Sequence, residues 1–269
     1  MKNINFGDLQ WPSYQFTGCA SETSTSKTLI KIEDYFSSKF SLHVNLLPSG
    51  RSALGTIFDY KNFNRGDVTF IPRWSSHCLY NTIGAYSSIT ENFSNNPSIC
   101  LAVHKWGRTT RVSSSYKNYI IEDSSDSIHL SKKSFFPNSN SEFEIISLPK
   151  VIGSVSGGLV VHNNADFSAY VESIRGGNFQ LSEYQSKLKW NGHAFKYWGS
   201  LEYKNRDLTL LDLNNIIKNL DNYELNKKII FERLESFKNL SSSTMFKANR
   251  LGPVVALKKR EYKVKKPFN

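Results

Sequence analysis

Within residues 24–40 the apolar side chains Leu29, Ile30, Ile32, Tyr35, Phe36 and Phe40 recur at helical spacing behind a Ser/Thr-rich start able to cap, which predicts one amphipathic helix. A short stretch at 44–47 leads into Pro48-Ser49-Gly50-Arg51-Ser52, after which Ala53, Leu54, Ile57 and Phe58 resume the helical period. The pattern predicts a turn that opens directly into a helix. Residues 68–71, 99–103, 119–121, 144–147 and 159–161 are short, apolar and rich in β-branched side chains, as strands buried on both faces are. A further helical stretch runs through Leu79 and Ile83. This alternation, held to about residue 165, predicts an α/β layered sheet. Beyond it the pattern turns helical: Leu210, Leu211, Leu213, Ile216, Ile217, Leu220, Leu225, Ile229, Ile230, Leu234 and Phe237 punctuate 208–240 with charges between them. Long helices are expected there, then a strand at 254–257. The chain thus divides into an α/β unit at 1–165 and a helical continuation at 166–269; no internal repeat is present, and 139–141 reads as a surface loop.

Composition narrows the class. With 39% hydrophobic and 13% aromatic residues in 269, the chain buries a sizeable core, which excludes disorder, collagen and coiled coil. No apolar run approaches the ~20 residues of a membrane-spanning helix, and the first residues lack an apolar leader, so a cytoplasmic soluble protein is expected. Cys19, Cys78 and Cys100 are odd in number and contain no CxxC pair, which indicates neither a disulfide framework nor a metal site. The net charge of +11 is uneven: residues 258–269 hold six Lys/Arg against Glu261. No arginine-rich helix or aromatic-basic platform accompanies it, so nucleic acid is not the expected partner. The basic surface suits an anionic small substrate, or is a solvated charged tail.

Three places carry candidate chemistry. Ser49-Gly50-Arg51-Ser52 stands where a strand gives way to a helix, and first-turn N–H groups with the positive end of the helix dipole favour an anion there. Glu122-Asp123-Ser124-Ser125 places acids at the carboxyl end of an apolar strand, where open α/β sheets hold ligands. Lys150 follows another strand; a poorly solvated lysine is a candidate Schiff-base nucleophile. Taken singly, each is also read as a helix start, a strand end or a surface lysine.

In this order the motifs resemble the DegT/DnrJ/EryC1/StrS family of sugar aminotransferases of fold type I, over about 17–161. The matching segments are Ser49-Gly50-Arg51-Ser52-Ala53-Leu54, Arg65-Gly66-Asp67-Val68-Thr69-Phe70-Ile71-Pro72, Val103-His104-Lys105-Trp106-Gly107, Ile120 to Ser125, and Lys150 followed by Gly157-Gly158; Asp123 and Lys150 lie 27 residues apart. The resemblance implies a three-layer αβα fold around a mixed seven-stranded sheet, with a reduced C-terminal lobe. It implies pyridoxal 5'-phosphate as cofactor, attached to Lys150, with Asp123 on the ring nitrogen and Ser49, Gly50, Arg51, Ser52 and Ser147 around the phosphate. It further implies a homodimer that transfers an amino group, from glutamate, to a keto group of a nucleotide-linked sugar in lipopolysaccharide, other surface-polysaccharide or natural-product synthesis. His104 is expected to support the strand end.

The chain departs from the family at several of these positions. Where an aromatic commonly stacks on the cofactor ring stands Ser76, with Trp74 and His77 beside it; where a Gln or His commonly meets the phenolic oxygen stands Asp126. Ser147 precedes the lysine by three residues instead of five. Two other readings therefore stay open: a different pyridoxal-phosphate reaction on a sugar, such as dehydration, or a non-catalytic protein that keeps the fold. A role for Asn205-Arg206 toward a neighbouring subunit's phosphate competes with that of a solvated helix cap.

Overall fold

The computed structural model describes residues 25–129, 131–175, 208–236 and 250–251. Among them, helices α1 (Thr25–Phe40), α2 (Gly50–Tyr60), α3 (His77–Gly84), α4 (Leu148–Ile152), α5 (Ala165–Ile174), α6 (Leu210–Lys218) and α7 (Asn222–Ser236) surround strands β1 (His43–Leu47), β2 (Val68–Phe70), β3 (Ser88–Thr90), β4 (Ile99–Val103), β5 (Tyr119–Asp123), β6 (Ile128–His129), β7 (Ser141–Ser147), β8 (Gly158–His162) and β9 (Arg250–Leu251). Seven strands form one mixed sheet in the order β1-β8-β7-β5-β4-β2-β3, and β6 pairs with β9 separately. Strands β2, β3, β4, β5 and β7 run parallel, while β8 lies antiparallel between β7 and β1.

The apolar strands are buried on both faces, and their side chains divide between two large cores, with Cys100, Ala102 and Ile120 in a smaller third cluster. Leu159 and Val161 of β8 pack with Val44, Leu46, Ile146 and the apolar stripe of α1 (Leu29, Ile32, Phe36, Phe40), joined by Leu213, Ile216 and Tyr223 from α6 and α7. Val160, between them on β8, enters the other core with Phe143, Ile145, Leu54, Ile57 and Phe58 of β7 and α2, and Phe167 of α5. Period-two alternation along β8 thus sends neighbours to opposite helical layers, which makes the fold the expected αβα sandwich around seven mixed strands.

Three local features differ from expectation. Strands β3, β6 and β9 have only two or three residues, too few for a periodic signal, and exist through pairing with a neighbour. Strand β7 begins at Ser141, at the edge of the predicted loop and three residues before the expected start at 144, because Ser141 and Glu142 carry no apolar signal. Lys150 lies within the single turn of α4, with Pro149 at its start and Gly153 (φ 73°) stopping it. The strand predicted at 254–257, the basic tail, Cys19 and Asn205-Arg206 lie outside the described residues.

Candidate active site

Strands β1, β5 and β7 end at the same edge of the sheet, and β8, running the other way, begins there. Their ends enclose an open cavity of about 110 Å³, lined among others by Ser49, Gly50, Arg51, Asp123, Ser125, Ser147 and Lys150, with Ser76, Cys78 and Leu79 on the α3 side. This is where a parallel sheet commonly holds a ligand, since main-chain groups leaving the strands are not used by the ladder.

The β1–α2 turn forms one wall. Ser49 caps α2: its Oγ accepts the Ser52 N–H at 3.1 Å and shares a hydrogen bond with the Ser52 hydroxyl at 3.0 Å. The turn lies directly on the start of β8, because a Cβ on Gly158 would stand 2.3 Å from the Ser49 carbonyl carbon and 2.4 Å from the Gly50 nitrogen. Gly157, at φ 104°, donates its N–H to the Pro48 carbonyl at 2.8 Å and accepts the Leu148 N–H at 3.0 Å. The glycine pair therefore lets two chain reversals touch with no side chain between them. On the opposite side of the turn, a Cβ on Gly50 would meet the Ser125 Oγ at 3.6 Å and the Ser147 Cβ at 3.8 Å, in ordinary contact.

The end of β5 forms the second wall. Asp123 is 5% exposed, and its Oδ1 accepts the Ser125 N–H at 2.9 Å in a short turn leaving the strand. Its carbonyl accepts the His104 N–H at 2.8 Å, so His104 does support the strand end. Ser147 donates its N–H to the Ser125 carbonyl at 3.3 Å, which ties β7 to the same turn. Asp126 lies close behind this wall: burial raises its carboxyl above the ordinary range, the Asp123 charge adds to that, and the Lys150 charge opposes both.

The cavity therefore gathers Ser49, Gly50, Arg51, Ser76, Asp123, Ser147 and Lys150 of the sequence-derived set. Ser52 lies one turn into α2, buried and engaged with Ser49, and is not among the cavity walls. Neither is His77, an exposed residue whose Nδ1 lies 3.2 Å from the Asn81 amide. Trp74 is 68% exposed. The sequence reading misses Ser125 and Cys78 as lining residues. Ser125 was findable, because an Asp leaving a strand commonly accepts the N–H two residues on and folds that residue back beside it; nothing in the pattern marks Cys78. Equally unforeseen are two buried imidazole–carboxylate pairs, His104 with Glu122 and His129 with Glu144, both at 2.7 Å.

Over residues 32–260 the sequence matches a family described as "Putative PLP-dependent aminotransferase". No curated protein matches it. Among solved structures, it is similar to a DegT DnrJ EryC1 StrS aminotransferase from Brucella abortus at 13% identity, covering 84% of this chain and 68% of that one with a TM-score of 0.56. Spr1654 of Streptococcus pneumoniae, described as a "Putative sugar aminotransferase", shares 14% identity over 85% of this chain and 70% of its own, with a TM-score of 0.56. DesI, crystallised in the presence of its TDP-sugar product, gives 11% identity, 88% and 66% coverage and a TM-score of 0.59. The chain thus spans about two thirds of the length of these structures, and at such identities the likeness shows the fold. Because the family match runs through most of the sequence and through every wall of the cavity, the chain belongs to a family of pyridoxal-phosphate-dependent aminotransferases.

Proposed function

We propose that the cavity holds pyridoxal 5'-phosphate and that the protein transfers an amino group to a keto group on a nucleotide-linked sugar. The observation that carries the reading is the convergence on one cavity of a lysine amine, a buried carboxylate and a capped helix start flanked by hydroxyls. These donors fit the three recognisable parts of the cofactor: Lys150 its aldehyde, Asp123 its ring nitrogen, and Ser49, Gly50 and Arg51, with Ser125 and Ser147 opposite, its phosphate. When bound, the cofactor supplies an electron sink for a carbanion at the amino-bearing carbon.

The chain's own groups supply the rest. Lys150 would hold the cofactor, and its amine would move a proton at that carbon as base and acid. Asp123, fixed by the Ser125 N–H, keeps a proton on the ring nitrogen. The positive end of α2 and the Arg51 guanidinium neutralise phosphate charge, while Ser49 orients the helix start. Asp126, raised by burial and facing the charge of Lys150, stands where an amide or imidazole serves similar proteins, and we assign it to holding the Lys150 ammonium during the half-reaction. Glutamate as donor, a homodimer, and a place in polysaccharide or natural-product synthesis follow from the family resemblance and belong to the same proposal.

The test is a two-step absorbance experiment. Glutamate added to the cofactor-loaded protein bleaches the visible band, and a nucleotide-linked keto sugar restores it with release of an amino sugar. A band that glutamate, alanine and glutamine all leave intact refutes transfer and favours chemistry without it; a protein that takes up no cofactor is a binding scaffold.

A further inference from the structure

Glu122 and Glu144 occupy directly paired positions on β5 and β7, and both are fully buried. Two carboxylates opposed across a ladder in a low-dielectric interior destabilise a sheet unless each is met by donors. Here Glu122 accepts from His104 Nε2 at 2.7 Å, from the Asn138 N–H at 3.1 Å and from the Ser141 hydroxyl at 2.6 Å. Glu144 accepts from His129 Nε2 at 2.7 Å, from the Phe136 N–H at 2.9 Å and from the Ser124 hydroxyl. Parallel stacking on Phe135, with centroids 3.9 Å apart, holds the His129 ring.

The quartet grips the β5 end on both sides of Asp123. Glu122 precedes it and is bound to His104; Ser124 follows it and is bound to Glu144. Because neighbours along an extended chain point to opposite faces, anchoring 122 and 124 in the interior aims 123 the other way, toward the cavity. His104 adds its own N–H to the Asp123 carbonyl, and Ser127 donates its hydroxyl to the His104 carbonyl at 3.3 Å, closing the turn that carries Ser125 and Asp126.

We infer that the buried Glu122–His104 and Glu144–His129 pairs are a positioning device that fixes the aim of Asp123 at the cofactor ring. The inference rests on the proposed cofactor site. Its test is a double-mutant cycle between His104→Leu and Asp123→Asn, read as the pyridoxal phosphate dissociation constant and the absorbance maximum of the bound cofactor, with melting temperature alongside. His104→Leu is expected to weaken cofactor binding roughly tenfold and shift the maximum, and to add less than about twofold once Asp123 is already Asn, as coupled residues do. His104→Gln, which keeps an N–H donor toward Glu122, is expected to restore affinity to within about threefold of the parent.

Should His104→Leu fail to fold, Ser124→Ala removes only the hydroxyl toward Glu144 and is expected to change affinity in the same direction. A folded His104→Leu protein whose melting temperature falls while affinity and absorbance maximum hold would overturn the inference, and so would effects that simply add to those of Asp123→Asn. An Asp123→Asn protein indistinguishable from the parent refutes the cofactor reading itself, and the positioning role with it.

Discussion

Lys150 and Asp123 come from different strand ends and meet because β5 and β7 run side by side in the same direction. If Lys150 has the proposed roles, Lys150→Ala lowers transfer by about 10³-fold or more, since base and attachment would vanish together; measuring kcat with the donor in excess checks this. Asp123→Asn is expected to cost about 10²-fold, the scale for losing one preorganised charge at a reacting group. The cysteines offer a contrast. Burial pushes the Cys100 thiol up to about 12, whereas Cys78 is exposed at the cavity mouth. Iodoacetamide is therefore expected to label Cys78 and spare Cys100, with bound cofactor slowing the Cys78 reaction; peptide mapping of the alkylated protein decides it.

At the same scale, burial, with the nearby His43 adding to it, lowers His162 from 6.5 to about 4. Its ring is satisfied when neutral: Nδ1 accepts the Asn164 N–H at 3.1 Å and Nε2 lies 2.8 Å from the Asn45 carbonyl oxygen. Between those two pH values the unfolded chain binds a proton that the folded one refuses, so stability falls as the pH drops through the window, by at most about 3 kcal/mol. Denaturant titrations from pH 7 to 4 should show a shallower loss for His162→Gln than for the parent.

Among the elements, the contact between the β1–α2 turn and β8 makes the sharpest demand. Gly158→Ala puts a methyl group within 2.3 Å of the Ser49 backbone, whereas Gly50→Ala meets nothing nearer than 3.6 Å. The first substitution is expected to cost about 1–3 kcal/mol or more and to weaken cofactor binding, the second to leave the fold nearly as stable as it was; parallel melts and cofactor titrations compare them. Elements with a clear apolar run or period, such as α1, β4 and β8, were legible in the sequence to within a residue or two. The start of β7 was missed because Ser141 and Glu142 carry polar letters, and no local pattern records that the Ser141 hydroxyl bonds Glu122 on the neighbouring strand. The one-turn α4 was hidden by Pro149, and β3, β6 and β9 by their length. Gly50, Asp123 and Lys150 were readable because each follows a strand in a recognisable order. Cys78 joins them only through the approach of the start of α3, which sequence separation conceals.

The described part of the molecule shares one interior across sequence-distant segments. Leu208, Leu213, Ile216, Leu220 and Tyr223 lie in the same apolar cluster as α1, β1 and β8, and the Tyr223 hydroxyl accepts the His129 N–H at 3.0 Å. Asp212, in the capping box of α6, accepts the Ser156 hydroxyl at 2.9 Å, and Asn215 accepts the Val155 N–H at 3.0 Å, which fastens the loop before the glycine pair. The helices beyond residue 208 thus support a wall of the cavity from behind. Tyr223→Ala is expected to cost about 3–5 kcal/mol, the range for emptying a large aromatic site, and chemical denaturation measures it.

The central claim, that Lys150 carries the cofactor at the meeting point of β1, β5, β7 and β8, is tested most directly by borohydride reduction of the protein loaded with pyridoxal phosphate, followed by peptide mapping. The expected result is a visible absorbance band that reduction abolishes and a stable pyridoxyl group on Lys150, lost in Lys150→Ala. A reduced group on another lysine, or no band and no adduct at saturating cofactor, would contradict it.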